Sequence, residues 1–101
     1  MTTVVLNRSG FDKDGTAVTE IGNGWAYYDL GLNNMALLLK ATELGISTLV
    51  MGIRDGEKLR KEFDIPETEA VVSVIAVGYT DSEIVRPKRK SLEDFAKFYE
   101  E

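Results

Sequence analysis

An α+β fold with one long helix is predicted, and three observations predict it. Tyr28, Leu32, Met35 and Leu39 recur at helical spacing, with Leu38 and Ala41 widening the stripe. Three apolar, β-branched runs, "TTVVLNR", "ISTLVM" and "EAVVSVIAVGY", flank that helix and follow it. The chain has 101 residues, 44% of them hydrophobic and 29% charged, so residues 1–101 read as one small globular domain. No internal repeat is visible.

The elements follow in order. "TTVVLNR" reads as a strand. "SGFDKDGTAVTEIGNG" is rich in Gly, Asp, Asn and Thr and reads as a long loop, either functional or a mobile excursion. "WAYYDLGLNNMALLLKATELG" is the long helix. Around "MALLLKA" it is apolar nearly all round, which predicts burial, and Gly45 is placed to end it. "ISTLVM" is a short strand broken by Gly52. A second helix over "RDGEKLRKEFDIP" starts at Asp55 as N-cap, carries Leu59 and Phe63 four apart, and ends before Pro66. "EAVVSVIAVGY" lacks strict alternation and predicts a strand buried on both faces. In the closing segment Leu92, Phe95 and Phe98 recur every three residues, as a short helix or as an irregular arm that lays aromatics on a partner.

Composition narrows the chemistry. The chain has no cysteine and no histidine, which removes disulfides, thiolate nucleophiles, thiolate and imidazole metal ligands, and the usual general acid–base near neutral pH. A catalytic role would therefore rest on a bound cofactor. No apolar run approaches the roughly 20 residues that span a bilayer, and "MTTVVLNRSG" lacks the features of a signal peptide. A cytoplasmic location without membrane association is expected. The net charge is −5, yet "RPKRK" holds Arg86, Lys88, Arg89 and Lys90 within five positions. So small a patch in an acidic chain, without interleaved aromatics, argues against nucleic acid as partner. It leaves a phosphate seat or a solvated charge run.

Three stretches carry a resemblance: "GWAYYDLGLNNMALLLKATELGISTLVMGIRDGEKLRKEFDIP", "VVSVIAVGY" and "RPKRKSLEDF". In this order and at these spacings, over most of residues 24 to 95, they resemble the C-terminal half of the nitroreductase family of FMN-dependent NAD(P)H oxidoreductases. The resemblance implies a small antiparallel sheet packed on a long central helix. It also implies FMN at the interface of a homodimer, reduced by NADH or NADPH and passing electrons to a nitroaromatic, quinone or similar acceptor. The family's N-terminal half, with its Arg- and Ser-rich phosphate segment and its flavin-facing Asn, has no counterpart here. Weaker FMN binding than in full-length relatives is therefore expected.

The resemblance also assigns residues. Lys88 and Lys90 fall where the family closes on the FMN phosphate, with Arg89 between them, and charged donors suit a dianion. Gly52 falls at a turn along the flavin edge, where a backbone N–H meets flavin N5, and Leu49, Val50 and Met51 would cover the ring. Without the resemblance this stretch is a strand end and a helix start. Trp25 and Tyr27 would line the substrate pocket, while Tyr28 reads as an anchor of the helix start; stacking on a flat substrate and anchoring in a core both suit such aromatics. Asn33 and Asn34 would bond across a dimer interface or face solvent, and take no cofactor role. A different class of function is also open: a non-catalytic interaction module, or the complementing half of a split enzyme that binds no FMN alone.

Overall fold

The computed structural model of the protein describes residues 1–100. Strand β1 (Thr2–Val5) leads through a long loop into helix α1 (Gly24–Glu43); strand β2 (Ser47–Met51), helix α2 (Gly56–Glu62) and strand β3 (Glu69–Gly78) follow. A single 3-10 turn, Leu92–Asp94, lies in the C-terminal arm. The sheet order is β1-β3-β2, and β3 runs antiparallel to both neighbours. Helix α1 packs against β1 and β2, and α2 against β3. The predicted architecture, a small antiparallel sheet on a long helix, is the one observed.

Local chemistry sets the boundaries. Helix α1 closes on Gly45 at φ 72°, with Gly45 N–H donating to Thr42 O and Ile46 N–H to Ala41 O. That pair of bonds satisfies carbonyls the helix would leave open. At the start of α2 the Asp55 carboxylate accepts from Lys58 N–H at 3.0 Å, a cap worth about 0.5–2 kcal/mol. At the start of α1 no side chain caps the helix. The Asn23 side chain turns instead to Asn7, accepting from its N–H at 2.7 Å and donating to its side-chain oxygen at 3.0 Å. This reciprocal pair ties the exit of β1, where Asn7 takes φ 53°, to the entry of α1.

Burial departs from the expectation. Helix α1 is not buried in the single chain: Ala26 and Ala41 are covered, whereas Leu32, Met35 and Leu39 are 58%, 53% and 63% exposed. Strand β3 is not covered on both faces either, since Val71 and Ser73 are its buried residues and its last three are exposed. The register explains this. Residues 69–73 of β3 pair with β1 and residues 74–78 with β2, so the two outer strands sit staggered along β3 rather than opposite each other. The exposed surface is 8704 Å², against about 5,700 Å² for a compact 11.2 kDa monomer. The radius of gyration is 17.6 Å, against roughly 13 Å for a compact chain of this length.

The loop between β1 and α1 is ordered. Phe11 and Ala17 form an isolated antiparallel bridge, and the Asp12 carboxylate accepts from Asp14 and Thr16 N–H. Ser9 Oγ donates to Asp29 Oδ2 at 2.9 Å, and Trp25 Nε1 donates to Thr19 Oγ1 at 2.8 Å. Gly10 sits at φ 82° where an added Cβ would lie 2.6 Å from Trp25 Cδ1. Gly10→Ala therefore combines backbone strain with overpacking, and is expected to destabilise the fold by about 1–3 kcal/mol. Thermal unfolding checks this; an unchanged midpoint would mean that the loop is not clamped on the indole.

Candidate functional site

The turn that follows β2 is built from an apolar edge strand and a glycine. Leu49 and Val50 are 61% and 47% exposed, Met51 is half-buried, and Ile53 is fully exposed. Strand β2 carries neither charge nor proline to protect its free edge. A Cβ at Gly52 would meet no atom within 4 Å, so the backbone here is open to a flat ligand. Beside the turn is a cavity of about 290 Å³ whose lining includes Met51, Leu59 and Val74 together with Arg54, Lys58 and Glu62. Leu49, with Ala76, Val77 and Ile84, lines a separate cleft at the far end of β2.

The arm carries the cations. Lys88, Arg89 and Lys90 are exposed, and among the described residues they join neither an ion pair nor a side-chain hydrogen bond. With Ser91 and Asp94 they border one open hollow. Ser91 caps the 3-10 turn reciprocally with Asp94. Glu93 beside it has its carboxyl held below the usual value, first by its backbone N–H and then by the Ser91 hydroxyl. That turn packs against no other element. The other cations are partly spent: Lys40 pairs with Glu43, while Arg54 and Arg60 donate to backbone carbonyls.

The structure does not bring the two halves of the expected flavin site together. The hollow at Lys88–Lys90 and the cavity at Met51 share no lining residue. Each half by itself has the chemistry for its part of an FMN: open backbone and apolar cover for a ring, unpaired cations for a phosphate. Trp25 is half-buried and held by Thr19 and Gly10, and meets Tyr28 edge-on with ring centroids 6.1 Å apart. Tyr28 itself is 61% exposed and so does not anchor a core. Tyr27 is exposed. Asn33 donates to Asp29 O and lines a hollow between β1 and α1, away from the cavity at the turn. Sequence reading missed Arg54 and the Asn7–Asn23 pair. Nothing local in the sequence marks Arg54, an exposed cation in a turn.

Comparison with known proteins agrees with the fold. The fold is a small α+β domain, and residues 2–79 match the Nitroreductase family. The chain belongs to that family. The nitroreductase family protein from Streptococcus pneumoniae TIGR4 shares the fold, with a TM-score of 0.72 at 23% identity. The match covers 80% of this chain and 41% of that one, so the chain spans less than half the length of that relative. No curated protein matches the chain. No helix among the described residues is long and apolar enough to cross a membrane.

Proposed function

We propose that the chain supplies the ring-edge turn and a phosphate-gripping arm of an FMN-dependent NAD(P)H oxidoreductase, assembled with a second copy of itself. The observation that carries it is the exposed apolar strand end, Leu49 to Gly52, with open backbone beside it, in a chain of the Nitroreductase family. FMN, when bound, supplies hydride acceptance from NADH or NADPH and onward electron transfer to a nitroaromatic, quinone or similar acceptor. The protein's part is binding and access: Leu49, Val50 and Met51 cover the ring, Gly52 lets backbone approach it, and Lys88, Arg89 and Lys90 offer charged donors to the phosphate. Trp25 and Tyr27 belong to the acceptor side.

The detached arm and the surplus surface favour a second reading, in which the chain is an interaction module or one half of a split fold and holds no flavin alone. FMN titration of the purified chain, followed by flavin absorbance and fluorescence, separates the two. A yellow protein with saturable binding is expected. A colourless chain that leaves flavin fluorescence unchanged at high micromolar concentration removes the first reading and leaves the second.

A further inference from the structure

We infer that Arg54 is a positioning residue: it holds the β2–α2 turn rigid and so fixes the backbone edge on which a flavin ring would lie, an inference that rests on the flavin reading above. Strand β2 pairs with β3 as far as Met51 opposite Val74. Continuing that register by three residues would set Arg54 opposite Val71. The backbone leaves the ladder instead, and the guanidinium crosses the gap. Its Nη2 donates to Val71 O at 2.6 Å and its Nη1 to Gly52 O at 3.1 Å.

The two anchors differ in a useful way. Val71 is buried in the central strand, and its neighbour on the opposite side is Thr3 of β1. Gly52 lies in the turn and has no side chain to fix it, and Ile53 beside it is fully exposed and gives no packing. One planar fork thus ties the least supported part of the turn to the best supported part of the sheet. Lysine has a single ammonium on a flexible stem and no fork to span two carbonyls in fixed geometry. On the helix side, the Asp55 cap on Lys58 N–H secures the other end. A turn fixed before the ligand arrives loses less conformational freedom on binding.

The test compares the parent chain with Arg54→Met, which keeps the length and loses the donors, and Arg54→Lys, which keeps the charge and loses the fork. Backbone 15N relaxation is read at Gly52 and Ile53, with Val4 and Val71 as internal controls for the sheet. Order parameters of about 0.85 are expected for the turn in the parent, falling below about 0.6 in Arg54→Met, with the controls unchanged and Arg54→Lys between. Equal order in all three chains, or an equal loss at turn and controls, overturns the clamp. FMN and riboflavin affinities are read on the same samples. Arg54→Met is expected to weaken both by the same factor, and Arg54→Lys to recover part of the loss. Flavin binding that is unchanged in a loosened turn overturns the positioning role while the flavin reading stands. A parent that binds neither flavin overturns that reading and the positioning role with it, and the relaxation result still judges the clamp.

Discussion

Replacing both Lys88 and Lys90 with alanine is expected to weaken FMN binding by about 100-fold or more and to leave riboflavin binding nearly unchanged. Each charged hydrogen bond contributes about 1.5–3 kcal/mol, and roughly 1.4 kcal/mol is a decade of affinity, so losing two amounts to at least two decades. Riboflavin has the same ring without the phosphate and isolates that term. Unfolding should hardly respond, because both lysines are exposed and no partner holds them in the chain. The FMN–riboflavin difference should shrink with added salt, since exposed charges are screened over about 10 Å at 0.1 M. An equal loss for both ligands would mean that the arm orders the ring pocket instead of gripping phosphate.

The arm also shows where reading from sequence stops. Its charge was legible, because four cations in five residues of an acidic chain need a reason. Its position was not, because 3-10 residues Leu92–Asp94 pack on no other element and nothing local directs the chain after β3. The elements with strong local chemistry were legible to within a few residues: the Gly45 stop, the Asp55 cap and the 20-residue helix all follow from caps and spacing. Burial was misread because it depends on what lies opposite. The same pattern in "MALLLKA" that predicts a covered helix is, in the single chain, an exposed stripe. Arg54 escaped for a related reason: its partner, Val71 O, is 17 residues away and is defined only by the register of β2 on β3.

That exposed stripe carries the other large expectation, self-association. Leu32, Met35 and Leu39 lie along one side of α1, and Leu49 and Val50 on β2 add to the uncovered apolar surface. The chain exposes 8704 Å², roughly 3,000 Å² more than a compact monomer of its mass. Obligate interfaces bury about 2,000–5,000 Å² or more over both partners, roughly 1,000–2,500 Å² from each, so the surplus on one chain is enough for a permanent partner to cover. A homodimer or larger assembly is expected at micromolar concentration by sedimentation equilibrium. Full burial of a leucine side chain contributes about 1.5–3 kcal/mol; with Leu32 58% and Leu39 63% exposed and both present on each of two chains, the Leu32→Glu, Leu39→Glu double variant should raise the dissociation constant by at least about 100-fold. Its far-UV circular dichroism should keep the helix, because in the single chain both leucines already face outward and removing them opens no core. A parent chain that sediments as a monomer at micromolar concentration would refute the expectation. If the double variant instead sediments as the parent does, the stripe is not the contact, and the apolar edge of β2 becomes the face to alter next.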